Sequence, residues 1–168
     1  MAGTGATANE PADVLVFAYG SNLCRERLIA RVGPIETVAV ARLDAHRLCF
    51  HKRGRDGSGK ADAFFTGDPA DRIWGVVYGM TESAKRELDR IEGVGCGYVV
   101  APVDLTTVGG QRLRAWLYLA EPAWIDASLR PAAWYRALIV TGARQHGLPA
   151  AYVAELEARL EYCGASGR

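Results

Sequence analysis

The chain has 168 residues, 49% of them apolar and 23% charged, with a formal net charge of +1. That composition is too apolar for a disordered chain and is long enough for one domain with its own core. The charge is too evenly balanced for a protein whose main partner is nucleic acid or an anionic membrane, since both need clustered cations.

Residues 1–12 are small and polar, with neither the cationic start nor the apolar run of a targeting peptide. They read as a loose tail ahead of a single domain, 13–163, followed by a short tail, 164–168. No segment approaches the ~18 uncharged apolar residues of a membrane helix, so the expected compartment is the cytoplasm. Residues 14–19 (VLVFAY) form a continuous run of β-formers and read as a buried strand. Gly20 breaks it, Ser21 and Asn22 are helix-capping types, and 23–32 carries helical spacing. The opening unit is therefore strand, tight turn, short helix. Residues 38–50 predict a long strand, bent near its middle. Residues 51–60 predict a basic, mobile, glycine-rich loop, and 61–66 and 73–78 predict short strands around the turn Gly67-Asp68-Pro69.

Thr81 caps a helix over 82–91, in which Leu88 and Ile91 form an i, i+3 apolar pair, and Glu92-Gly93 ends it. Residues 98–108 and 112–119 predict a hairpin across Gly109-Gly110. Pro131 suits the first turn of a helix over 132–146, Gly147 its C-terminal end, and Pro149 opens a last helix through Tyr162. Mixed strands and helices without βαβ repetition make the class α+β. Cys24, Cys49, Cys96 and Cys163 are scattered without C-x-x-C spacing, and His46, His51 and His146 are isolated. Neither a metal site nor a redox motif is implied, and the cysteines read as free thiols.

Four features bear on chemistry. Gly54-Arg55-Asp56-Gly57-Ser58-Gly59-Lys60 satisfies G-x-x-x-x-G-K, but Ala61 replaces the metal-holding hydroxyl and a strand follows instead of a helix, so it is not a phosphate loop. Ser21 stands in a strand-turn-helix and could serve as a nucleophile if a histidine lay close, though the G-x-S-x-G elbow is absent. The same turn exposes several backbone N–H groups, with Gly20 permitting close approach, and this makes an anion-binding concavity for a carboxylate or phosphate. Glu92 closes a helix, facing the negative end of its dipole between Ile91 and Val94. Both effects disfavour the charged form, which suits a group that takes a proton and later returns it. An ordinary surface glutamate at a helix end is the plainer reading of the same residue.

Phe17-Ala18-Tyr19-Gly20-Ser21-Asn22-Leu23 and Leu88-Asp89-Arg90-Ile91-Glu92-Gly93-Val94 together resemble the γ-glutamylcyclotransferase family. Val40-Ala41-Arg42-Leu43, Trp74-Gly75-Val76-Val77-Tyr78 and Gly142-Ala143-Arg144-Gln145-His146-Gly147-Leu148-Pro149 extend the likeness from about residue 14 to 156 in one order. The resemblance implies a small mixed β-barrel flanked by helices. It also implies cleavage of a γ-glutamyl amide with release of 5-oxoproline and an amine, without cofactor or metal. By the same resemblance, Tyr19, Gly20, Ser21 and Asn22, with Leu23 next to them, hold the γ-glutamyl group, Glu92 is the acid/base, and Tyr98 and Tyr135 contribute to the pocket. The expected partner is a small γ-glutamyl compound, and a homodimer is plausible by likeness alone. Three roles stay open: a general γ-glutamyl-amino-acid or γ-glutamylamine cyclotransferase, a biosynthetic relative that removes a γ-glutamyl protecting group from a larger product, and a non-catalytic binding module of the same fold.

Overall fold

The computed structural model describes residues 14–165, with side chains through 161. The expected N-terminal tail, the last three residues and the side chain of Cys163 lie outside the described residues. Strand β1 (Val14–Ala18) pairs antiparallel with β5 (Arg72–Met80), and β5 pairs on its other edge with β2 (Glu36–Asp44). β2 pairs with β6 (Tyr98–Thr107), and β6 with β7 (Arg112–Ala120). β7 then returns to β1 in parallel through Val16 and Trp116, closing a five-stranded mixed barrel that leaves no free edge. The strongest continuous apolar run of the middle chain is β5, and Val76, Val77, Tyr78 and Met80 are all buried, so both of its faces are covered. Leu28 of α1 (Arg25–Val32), Leu88 of α2 (Glu82–Glu92) and Ile139 of α3 (Ala133–Gln145) are almost fully buried against the barrel. Each such side chain contributes about 1.5–3 kcal/mol of burial free energy. α4 (Ala150–Ala165) lies against α3 and runs two residues into the segment expected as a tail.

Three local expectations are corrected. The long strand expected over 38–50 breaks at Ala45, which turns with φ 60. β2 ends at Asp44 and β3 (His46–Arg53) starts a separate hairpin with β4 (Gly59–Phe65). The expected mobile loop 51–60 is the closed end of that hairpin. Gly54 N–H donates to Ser58 at 2.9 Å, and the Asp56 carboxylate accepts from Ser58 N–H at 3.0 Å and from Lys60 Nζ at 3.1 Å. Those bonds, led by the Ser58 hydroxyl, hold the Asp56 carboxyl down at about 2. The G-x-x-x-x-G-K spacing is thus a β-turn with an internal ion pair. Finally, Ser21 and Asn22 do not cap α1. Residues Ser21–Leu23 form a separate 3-10 turn and Cys24 occupies the cap position, which leaves both polar side chains to face elsewhere.

α2 follows its local signals. Thr81 Oγ1 accepts from Ala84 N–H at 3.1 Å. Gly93, at φ +75, terminates the helix, with its N–H and that of Val94 returning to the Asp89 carbonyl. This stop leaves Glu92 as the last helical residue, at the mouth of the barrel.

Candidate active site

The turn after β1 is shaped by a close approach. A Cβ on Gly20 would stand 2.9 Å from Ala61 Cβ and 3.1 Å from the Tyr135 hydroxyl. The turn is closed by Leu23 N–H on the Gly20 carbonyl at 3.0 Å and Cys24 N–H on Ser21 at 3.2 Å. Among the described residues no protein acceptor takes the N–H of Gly20 or of Asn22, and both residues line the pocket. Leu23 is fully buried and stays off the pocket wall. Its carbonyl accepts from the Tyr78 hydroxyl at 2.9 Å and is 3.1 Å from His146 Nε2, an arrangement that anchors the turn from behind.

Glu92 meets this turn from α2. Its Oε1 accepts from Asn22 Nδ2 at 2.8 Å and from Arg31 Nη1 at 2.8 Å, and Arg31 also donates to Asn22 Oδ1 at 3.2 Å. The Glu92 side chain is 17% exposed and that of Arg31 23%. Among the described residues Oε2 has no partner. One carboxylate oxygen is therefore clamped, and the other is left for a ligand. Charge-assisted bonds of this kind fix geometry strongly. Arg31 was not among the sequence candidates. Its signal is the i, i+4 spacing with Arg27, which puts both guanidinium groups on one face of α1. Arg27 Nε donates to Ser21 Oγ at 3.2 Å.

Three tyrosines complete the wall, and their hydroxyls differ in what they can still do. Tyr19 donates to the Tyr118 carbonyl, and Tyr98 donates to the Ala61 carbonyl at 2.7 Å. Both protons are committed to backbone, and burial pushes both hydroxyls well above the usual range. Tyr135 instead accepts from Ala61 N–H at 2.9 Å, so its proton is available to a ligand. Burial raises it to about 12, and the Ala61 bond works in the opposite direction. It therefore stays a neutral donor at ordinary pH. Ala61, bracketed by Tyr98 and Tyr135, sets the distance between the two rings.

Tyr19, Gly20, Ser21, Asn22, Glu92, Tyr98 and Tyr135 all line one pocket, joined by Ala61 and Tyr118, which sequence reasoning missed. No histidine reaches Ser21: His51 bonds Asp62 at 2.8 Å, His46 the Asp44 carbonyl, and His146 Tyr78 and Leu23. The serine has a guanidinium where a nucleophile needs a base. Cys24 is buried and Cys96 exposed, and both are free thiols. Among the described residues no three metal-binding side chains gather, and no helix is long and apolar enough to cross a membrane.

The AIG2-like family profile matches residues 72–156. The γ-glutamylcyclotransferase of Homo sapiens is 35% identical over 158 residues, covering 90% of this chain and 81% of the human protein. A solved structure described as γ-glutamyl cyclotransferase superposes with a TM-score of 0.79 at 34% identity over 86% of each chain. The structure of YkqA from Bacillus subtilis shares the fold, with a TM-score of 0.75 at 24% identity over 91% of this chain and 55% of that one.

Proposed function

The chain belongs to the γ-glutamylcyclotransferase family, and on that premise we propose that it cleaves a γ-glutamyl amide by intramolecular cyclisation, with Glu92 as general acid and base. The substrate brings its own nucleophile, the α-amine of its glutamyl unit. Attack of that nitrogen on the δ-carbonyl carbon forms the lactam C–N bond. Collapse of the tetrahedral intermediate breaks the amide C–N bond and frees the amine. The α-ammonium carries three protons and the lactam nitrogen keeps one, so two must leave. Glu92 Oε2 takes one before attack and passes it to the leaving nitrogen as the amide bond breaks. It then takes the second from the lactam nitrogen and passes it to the freed amine, which leaves as an ammonium with no net proton consumed. The free N–H groups of Gly20 and Asn22 and the Tyr135 hydroxyl proton are the donors open to the substrate's α-carboxylate and to the developing oxyanion. Holding the glutamyl chain with its ends together removes several kcal/mol of barrier, on the order of what well-oriented intramolecular reactions gain.

The observation that carries this reading is the asymmetric Glu92 carboxylate: Oε1 held by Asn22 and Arg31, Oε2 unpartnered in the pocket. The chemistry calls on no cofactor, since nucleophile and electrophile sit in one molecule. We read the protein as cytoplasmic, and homodimerisation is tested by light scattering. The direct test is incubation with γ-glutamyl-alanine and measurement of 5-oxoproline. Formation by the wild type and its loss in Glu92→Gln are expected. Undiminished formation by the variant removes Glu92 from the mechanism.

A further inference from the structure

The substrate pocket opens on a wider cleft whose lining is strongly cationic. Arg27, Arg31, Lys52, Arg55 and Lys60 face Asp56 and Glu92 there. Two of the five cations are neutralised within the protein: Arg31 pairs with Glu92 at 2.8 Å and Lys60 with Asp56 at 3.1 Å. Among the described residues no carboxylate lies in ion-pair range of the other three. Arg55 is on the exposed hairpin turn, whereas Arg27 and Lys52 stand on opposite elements, α1 and β3.

Lys52 is the unusual member. It is 7% exposed, yet its ammonium has no hydrogen-bond acceptor among the described residues. It lies 4.4 Å from the Tyr98 ring centroid and 5.3 Å from that of Trp124. A Cβ on Gly97 would come within 2.8 Å of the ammonium, so the lysine tip packs directly over bare backbone at that position. The niche is also pinned by backbone. Lys52 bridges to Ile125, Asp126 N–H donates to His51 at 2.8 Å, and Glu121 N–H donates to Gly97 at 2.9 Å. Two aromatic faces recover part of the desolvation cost of a buried cation, but not what a counter-ion supplies. Burial accordingly lowers the Lys52 pKa, against the opposing pull of Glu92. An unpaired ammonium on a largely buried side chain, opening on the cleft that Glu92 also lines, is a site for an anionic group of the substrate.

We propose that this cleft takes a leaving amine that carries two carboxylates, such as an acidic amino acid or a further glutamyl unit, and that Lys52 holds the side-chain carboxylate. The inference rests on the cyclotransferase reading above. The leaving nitrogen must face Glu92 Oε2 to be protonated. The α-carboxylate of a leaving amino acid is two bonds from that nitrogen, so it stays at the corner formed by Glu92, Arg31 and Arg27. A carboxylate at the end of a longer side chain reaches the opposite wall, where Lys52 stands.

The test compares γ-glutamyl-glutamate with γ-glutamyl-glutamine, which have the same shape and differ by the side-chain charge. In the wild type the KM for γ-glutamyl-glutamate is expected about tenfold lower, with similar kcat, as one charge-assisted bond gives. Lys52→Met is expected to raise that KM about tenfold more than the KM for γ-glutamyl-glutamine, and Lys52→Arg to keep the preference. Thermal melts confirm folding, with Lys52→Gln replacing the Met variant if that one melts early. Equal KM values in the wild type, or an equal rise for both substrates in Lys52→Met, overturns the proposal. Calorimetric binding of both compounds to Glu92→Gln protein separates this from the parent reading. A preference for γ-glutamyl-glutamate that the added Lys52→Met change removes upholds the assignment even when no 5-oxoproline forms. No preference in binding overturns it, and turnover of neither compound by the wild type overturns the cyclotransferase reading alone.

Discussion

Asn22 and Glu92 stand 70 positions apart in the chain, and the side-chain amide of the first donates to the carboxylate of the second at 2.8 Å. The bond joins the turn after β1 to the last residue of α2. With Arg31 it makes a three-membered cluster in which one carboxylate oxygen is fixed and the other is free. A single oxygen with a defined direction is what proton transfer needs, since the acid must sit within hydrogen-bond reach of the atom it serves.

Glu92→Gln keeps the shape of the side chain and removes its capacity to carry a proton. Turnover of γ-glutamyl substrates is expected to fall by about 10²–10⁴-fold, the usual contribution of a positioned acid/base. The pair with Arg31 is mostly buried, but the glutamine amide oxygen can still accept from Asn22 and Arg31, so the stability loss is expected to stay within about 1–3 kcal/mol and the variant to remain folded. Initial rates of 5-oxoproline formation, with circular dichroism melts beside them, check both halves.

The tyrosines separate cleanly. Tyr135→Phe removes the one tyrosine hydroxyl proton of the wall that is not committed to another group among the described residues, and kcat/KM is expected to fall about 10–100-fold. Tyr98→Phe strips the Ala61 carbonyl of a buried 2.7 Å bond, and stability is expected to drop by about 1–3 kcal/mol. Urea unfolding and steady-state kinetics on both variants read the contrast. An equal kinetic loss in the two would contradict the division of roles.

Gly20→Ala inserts a methyl 2.9 Å from Ala61 Cβ and 3.1 Å from the Tyr135 hydroxyl. Both neighbours are themselves buried, so the turn must move. Overpacking of this kind costs about 1–3 kcal/mol. Loss of kcat is expected alongside a lowered urea midpoint, and an unperturbed, fully active variant would show that the turn has slack.

His146 gives the pH dependence. Burial lowers its pKa from the ordinary 6.5, opposed by the Leu23 carbonyl. Below that value the unfolded chain binds a proton that the folded chain resists, so stability falls as pH drops from about 6.5, and stops falling once the folded pKa is passed. Melting temperatures from pH 7.5 to 5 are expected to decline in the wild type. His146→Gln is expected to flatten that decline, and the same slope in the variant would assign it to another group.

Much of the architecture was legible in sequence because it is encoded locally. The apolar run ending at Gly20, the Thr81 cap and the Gly93 stop each act within a few residues, and together they put Glu92 at a helix end. Residues 51–60 read in sequence as a mobile loop because their order comes from Asp56 bonding Ser58 and Lys60, contacts that basic and glycine-rich composition conceals. Ser21 and Asn22 look like helix caps by type. They are drawn away by Arg27 and Glu92, partners that local reading does not supply.

The sequence by itself determined the class of fold, the elements that bear the site, and the residue types that meet there, because periodicity, capping and turn chemistry are short-range. Only the tertiary structure decided which atoms are engaged. The barrel closes through a parallel contact of Val16 with Trp116, and β4 lies between Tyr98 and Tyr135. From that closure follow the clamped Glu92 oxygen, the free Tyr135 proton and the caged Lys52. Each is a balance of burial and partners set by segments dozens of residues apart, and a chain read in order carries no record of which donor finds which acceptor.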